Sequence, residues 1–287
     1  MANFVIFTES TTDLSPEMIN ELGLVVLPLQ YRIGEETYFD KVGGGLTIVE
    51  FYNKLRQGES ATTAQVNPGT FEDEFEKVLK EGKDVLYVGF SSGLSGTYNS
   101  ALIAKDALSD KYPDRKIICI DTLAASMGEG LYAWYAAKMR DEGKSVEETA
   151  AWLEENKLNL VMWFTVDDLN HLKRGGRVSP TVAFVGTLLG IKPVLHVDNE
   201  GHLINVSKAR GRKAALDALV AKYKETALQS DQMVFISHAD CLEDAQYVGE
   251  EIKKLGAVDV KINFIGPVIG AHAGPGTVAL FFMGSER

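Results

Sequence analysis

Short apolar blocks and polar, turn-forming blocks succeed one another along the chain at the spacing of alternating strands and helices. "NFVIFT" (3–8) predicts a first strand, after which Ser15 as N-cap, Pro16 at the first helical position and Gly23 as a stop predict a helix. "LVVLPLQYRIG" (24–34) predicts one strand, and Thr47 with Glu50 forms a capping box that opens the helix "IVEFYNKLRQ". "ATTAQVN" (61–67) reads as a loop. Asn67 and Pro68 then start a helix in which Phe71, Phe75, Val78 and Leu79 recur at helical spacing, and Gly82 ends it. "DVLYVGF" predicts the next strand, followed by a helix over about 97–112, the strand "KIICID", a helix around "GLYAWYAAKMR" and another capped by Ser145 and Glu148.

This alternation predicts an α/β fold: a doubly wound, mainly parallel sheet with helices on both faces. The pattern changes in the second half. After the strand "LVMWFTV", the segments "KPVLHVD", "NEG" and "HLINVS" predict two strands joined by a tight turn, which a purely parallel sheet does not contain. With a helix at "KAALDALVAKYKETA", a strand at "MVFISHA", a helix over about 242–255 and strands at "VKINFI" and "TVALFFM", this half reads as an α+β, mixed-sheet domain. A boundary near Leu158 gives two domains, 1–158 and 159–287, with a ligand cleft expected at their interface.

Composition narrows the function classes. A chain of 287 residues with 45% hydrophobic and 24% charged residues is expected to be a soluble globular protein, and no apolar run reaches the roughly 18 to 20 residues of a membrane span. The N-terminus carries no basic flank or long apolar run of a signal peptide, so a cytoplasmic location is expected. Cys119 and Cys241 lack metal-ligand spacing and read as core thiols. No metal or cofactor is expected. A net charge of −11 disfavours a phosphate backbone as partner, yet "HLKRGGR" (171–177) and "SKARGRK" (207–213) are basic islands that suit an anionic ligand or an acidic partner.

Three hydroxyl- and glycine-rich loops, "ATTAQVNPG", "SSGLSGTY" and "GAHAGPGT", fall at predicted strand ends, where loop amides and helix N-termini bind anions. Each taken singly also reads as a helix cap or a turn. A Ser/His acyl hydrolase would need a nucleophile elbow G-x-S-x-G, and "GLSG" is one residue short; His272 is available as a base, but none of the three loops holds an acid to orient it. The loops contain no Walker lysine, and no G-x-G-x-x-G follows the first strand. Hydroxyl donors beside a helix N-terminus suit holding a carboxylate.

"TTDLS", "TTAQVNPGTF", "SSGLSGTYNSA", "DTLAASMGEG", "LKRGGRVSP", "GIKPVLHVDNEG" and "GAHAGPGTVALFF" together resemble the DegV family, in order and spacing, over essentially the whole chain. The resemblance implies a two-domain α/β protein, without catalysis of its own, that binds one long-chain fatty acid such as palmitate in an apolar tunnel. It also implies presentation of that lipid to a separate ATP-dependent fatty acid kinase that makes the acyl-phosphate. By the same resemblance, Thr63, Ser95 and His272 hold the carboxylate, with Ser92, Gly96 and Arg177 in support, and Arg210 contacts the kinase. The first loop departs from the family's usual Thr-Ser-Gln-Pro-Ser-Pro, reading Thr63, Ala64, Gln65, Val66, Asn67, Pro68, although Asn67 can still cap the following helix. "TVAFVGTLLGI" (181–191) and "GPVIG" (266–270) are the expected tunnel walls, with core packing as the alternative.

Overall fold

The computed structural model describes residues 3–41, 43–178, 190–285 and 287. In the first half the strands are β1 (Phe4–Glu9), β2 (Leu24–Leu27), β3 (Gln30–Ile33), β4 (Glu36–Phe39), β5 (Ala61–Ala64), β6 (Asp84–Gly89) and β7 (Ile117–Asp121). Strands β2, β1, β6 and β7 lie in that order in a parallel sheet. The segment expected to be one strand is two. Pro28 has no N–H for a ladder, so β2 stops at Leu27 and β3 begins a separate antiparallel sheet of order β4-β3-β5. Strand β5 lies within the stretch that reads as a loop, because its four residues, Ala-Thr-Thr-Ala, carry no large apolar side chain to mark them. Its register sets Thr63 opposite Tyr31.

The second half supplies β8 (Leu160–Thr165), β9 (Ile191–Val197), β10 (Leu203–Arg210), β11 (Met233–His238), β12 (Asp259–Phe264) and β13 (Val278–Met283). They form a mixed sheet of order β10-β9-β8-β13-β11-β12, in which only β11 and β12 run parallel. Every residue of β8 and β13 is buried, as central strands covered on both faces require.

Local signals fix the helices. Helix α1 (Pro16–Glu21) has its N-cap Ser15 accepting from Met18 N; α2 (Ile48–Arg56) has the Thr47/Glu50 capping box; and in α3 (Pro68–Lys80) Asn67 accepts from Thr70 N at 3.0 Å. After α4 (Thr97–Ser109) comes α5 (Met127–Asp141), which lies between the parallel and mixed sheets and is buried around most of its circumference. Its glycines permit this. A Cβ on Gly128 would lie 2.8 Å from Phe281, and one on Gly130 would lie 2.8 Å from Leu14, so the helix approaches elements from both halves of the chain. The remaining helices are α6 (Val146–Asn156), again with a capping box, α7 (Asn170–Arg174), α8 (Arg212–Thr226), α9 (Leu242–Lys254) and α10 (Pro267–Ala273).

Two returns of the chain position the site. Helix α10, late in the sequence, packs on β3 and β5. The β9–β10 turn brings Gly201 O to 2.9 Å from the buried Ser91 Oγ, which donates to it. Gly201 has φ +79°, and a side chain there would run into Ser91, so both conformation and space demand glycine. Cys119 is buried and Cys241 half-buried, and neither is in a disulfide. No helix among the described residues is long and apolar enough to cross a membrane.

Candidate functional site

The ends of β1 and β5, the loop before α4, α7 and α10 converge on a cavity of about 180 Å³. Its apolar wall includes Leu29, Phe90, Leu94, Leu172, Val268 and Ile269, and its polar lining includes Thr63, Gln65, Ser95, Arg177 and His272. Gly96 also borders it. Five residues singled out in the sequence, Thr63, Ser95, Gly96, Arg177 and His272, thus meet at one cavity although 209 positions separate Thr63 from His272.

Thr63 Oγ1 and His272 Nε2 are hydrogen-bonded at 2.8 Å. Burial, and secondarily the Arg177 guanidinium, push the His272 imidazole down to about 4, so it is neutral near pH 7. Two glycines seat the histidines of this corner. A Cβ on Gly175 would stand 2.2 Å from His272 Nδ1, and one on Gly274 would stand 2.4 Å from the His171 ring. The glycine of the "GGR" loop therefore makes room for the histidine of α10, and that of the "GPG" loop for the histidine of α7. Gly96 serves Gln65 in the same way, since a Cβ there would meet Gln65 Oε1 at 2.2 Å while Gln65 Nε2 donates to Ser100 Oγ.

Ser95 Oγ accepts from Thr97 N at 3.2 Å and lies 3.0 Å from Thr97 Oγ1, so it caps α4 while lining the cavity. Where Thr97 donates to it, the Ser95 hydroxyl proton is free for a ligand. Arg177 Nε donates to Leu94 O, and the hydrogen bonds of this guanidinium among the described residues go to carbonyls, leaving its charge without a carboxylate partner. Ser92 is exposed, outside the cavity lining, with its N–H on Asp121 Oδ1. Arg210 is exposed at the end of β10, seven residues from the cavity-lining Leu203, or roughly 23 Å along the strand. Of the expected tunnel walls, Val268 and Ile269 do line the cavity, whereas 181–189 lies outside the described residues.

Beneath the cavity lies a buried acidic cluster that the sequence reading missed. The cavity-lining Thr11 donates to Glu129 Oε2 and Thr8 to Glu129 Oε1, both at 2.8 Å; Tyr87 Oη and Phe90 N donate to Glu9. Glu9 and Glu129 are fully buried. Burial raises both carboxyls, that of Glu9 to about 7, against the pull of its hydrogen bonds. Nearby, Ser126 (φ 55°, ψ −144°) and Asp13 (φ 51°) both hold left-handed backbone and are hydrogen-bonded to each other, a pairing that offsets the strain. A glutamate between two glycines in the otherwise apolar first turns of α5, "MGEGL", is the signal that could have revealed Glu129.

The raised Glu9 pKa carries a pH dependence. The folded protein keeps a proton that the unfolded chain releases above its ordinary value of 4.5. That contribution to stability is full below about 4.5 and is lost as pH rises to about 7. Glu9→Gln is expected to remove it, so that between pH 5 and 8 the wild type loses on the order of 2–3 kcal/mol relative to the variant. Denaturant titrations of both proteins at the two pH values check this, and parallel pH profiles would contradict it.

The DegV family model, described as an uncharacterised protein family, matches residues 3–285. A DegV domain-containing protein of Clostridium perfringens is 47% identical over 289 residues, covering 100% of this chain and 99% of the relative. Among solved structures, a DegV lipid-binding protein from Thermotoga maritima superposes with a TM-score of 0.86 at 32% identity, covering 100% of both chains. A DegV family protein from Thermus thermophilus, described by its fatty-acid binding, superposes with a TM-score of 0.88 at 31% identity, covering 97% of this chain and 98% of its own.

Proposed function

Because this chain belongs to the DegV family, we propose that it binds one long-chain fatty acid, with the carboxylate among Thr63, Ser95 and His272 and the acyl chain in an apolar tunnel continuing from Leu94 and Ile269. The observation that carries the reading is the Thr63–His272 pair at the polar side of an otherwise apolar cavity. In the tautomer that bears its proton on Nε2, His272 donates to Thr63 Oγ1. The threonine proton is then free for the carboxylate, and Ser95 offers a second. The N-terminus of α4 and the Arg177 guanidinium add positive potential at the same place. Burying about fourteen methylenes at ~0.8 kcal/mol each supplies roughly 11 kcal/mol before entropy and desolvation costs, so the chain drives binding and the head group orients it.

The geometry favours holding over hydrolysis. Ser95 is hydrogen-bonded to Thr97 and His272 to Thr63, so nucleophile and base are not joined, and His272 Nδ1 has no orienting carboxylate among the described residues. An imidazole with a pKa near 4 is also a weak base. Presentation to an ATP-dependent kinase in the cytoplasm, and a two-domain division at residue 158, belong to the same reading. Arg210, exposed on an acidic protein, suits the docking of such a partner. Arg210→Ala is expected to leave palmitate affinity unchanged and to lower acyl-phosphate formation with the cognate kinase about tenfold. Equal turnover would return Arg210 to ordinary surface, and cleavage of acyl nitrophenyl esters that is lost in Ser95→Ala would replace the carrier with a hydrolase.

A further inference from the structure

We infer that Asp13, which lies outside the lining of the carboxylate cavity, is a positioning residue for it: by holding the N-terminal end of α10, it sets the His272 imidazole against Thr63 and the ligand's carboxylate. The inference rests on the fatty-acid reading for the ligand, but not for the placing of the imidazole.

Helix α10 supplies His272 and the cavity-lining Val268 and Ile269, yet little in its own sequence fixes where it points. At seven residues it is too short to be stable alone. Its N-cap, Gly266, has no side chain to cap with, and Pro267 at the first helical position has no N–H. The anchor comes from the other end of the chain. Asp13 Oδ1 accepts from Gly266 N at 2.8 Å, and Asp13 O accepts from Asn263 Nδ2 at 2.8 Å, so one residue ties both the end of β12 and the start of α10. Gly266 lets the carboxylate in, since a Cβ there would stand 2.8 Å from Asp13 Oδ1. The buried Tyr52 adds a second tether to the same linker, its Oη donating to Ile265 O at 2.7 Å. His272 lies six residues beyond Gly266, about 9 Å along the helix. Tilting the anchored end therefore moves the imidazole, and a shift of about 1 Å breaks a hydrogen bond such as that to Thr63.

Asp13 is itself held to one place. It is buried, and its Oδ2 is hydrogen-bonded to Ser126 Oγ, which lies 2.9 Å from Ser237 Oγ in β11. The hydrogen bonds of its carboxylate among the described residues come from a hydroxyl and an amide, not from a cation. A buried carboxyl on left-handed backbone is a costly choice for a turn, and the placing of α10 is what it secures. Burial raises this carboxyl well above the ordinary aspartate value of 3.8, so a neutral amide is a close substitute for it.

Three variants test the role. Asp13→Gly removes the carboxylate and tolerates the positive φ, and Gly266→Ala keeps Asp13 but drives its carboxylate away. Asp13→Asn keeps an acceptor for Gly266 N and can donate to Ser126 Oγ. Nitrogen-15 NMR of histidine-labelled protein, with His272→Ala assigning the resonance, reads the imidazole directly, and titrations with palmitate and hexadecanol read binding. Asp13→Gly and Gly266→Ala are expected to shift the His272 resonance and to weaken palmitate about tenfold and hexadecanol no more than about twofold, with Asp13→Asn returning both readouts close to wild type. In a His272→Ala background neither should lower palmitate affinity further. If Asp13→Gly does not fold, Gly266→Ala and Asp13→Asn decide the matter. A His272 resonance that shifts and is rescued by Asp13→Asn, in a protein that takes up no palmitate, would sink the fatty-acid reading and leave the positioning role standing. A resonance unmoved in the folded variants, or equal losses of acid and alcohol, would overturn the inference.

Discussion

Alanine in place of Gly175 is expected to weaken fatty-acid binding by about two orders of magnitude without unfolding the protein. Gly175 has ordinary helical backbone angles (φ −71°), so the substitution adds no conformational strain there. The new methyl group would instead meet His272 Nδ1 at 2.2 Å, where atoms cannot coexist, and the imidazole must swing away. Doing so breaks its hydrogen bond to Thr63 and leaves the threonine proton without its set direction. A cycle with His272→Ala isolates the cause. Once the imidazole is gone, Gly175→Ala has nothing to displace, so the double variant should bind palmitate no more weakly than His272→Ala alone. Additive losses would mean that Gly175 acts through something other than His272.

Thr63→Ala and Ser95→Ala should each weaken fatty-acid binding by about one to two orders of magnitude, the cost of removing a charge-assisted hydrogen bond of roughly 1.5–3 kcal/mol. The double variant should fall short of the product of the two losses, because both hydroxyls serve one carboxylate. A fatty alcohol of the same length separates this account from a simple loss of packing. It fills the same apolar tunnel without the carboxylate, so either variant should reduce its affinity far less. Competition of palmitate and hexadecanol against a fluorescent lipid, for the wild type and three variants, reads all of these at once. Equal losses for acid and alcohol would make Ser95 a helix cap and nothing more.

What the sequence revealed and what it hid have a common physical basis. The caps at Ser15, Thr47, Asn67 and Ser145 were legible because each is a hydrogen bond between a side chain and an amide three residues away. The parallel sheet and the β9–β10 hairpin were legible from apolar runs and their turn residues. Strand β5 was not, since its four ladder partners all lie in one strand, β3, some thirty residues earlier, and its small side chains carry no apolar period. At the site, serines, threonines and glycines at strand ends marked the loops that do converge. The pairing of Gly175 with His272 and of Gly274 with His171 could not be read, because a glycine's reason for being there is the side chain it faces, and those partners lie about 97 and 103 positions away. The buried Glu9 and Glu129 were hidden for a similar reason: a glutamate reads as surface until the hydroxyls that satisfy it are known.

The central claim is that the cavity holds a fatty acid, and the most direct measurement is of what the purified protein already carries. Denaturing it, extracting the lipid and identifying the released species by mass spectrometry should give close to one long-chain fatty acid per chain, or rapid uptake of one equivalent when a delipidated sample is offered palmitate or oleate. A protein that releases no fatty acid and takes none up would contradict the account.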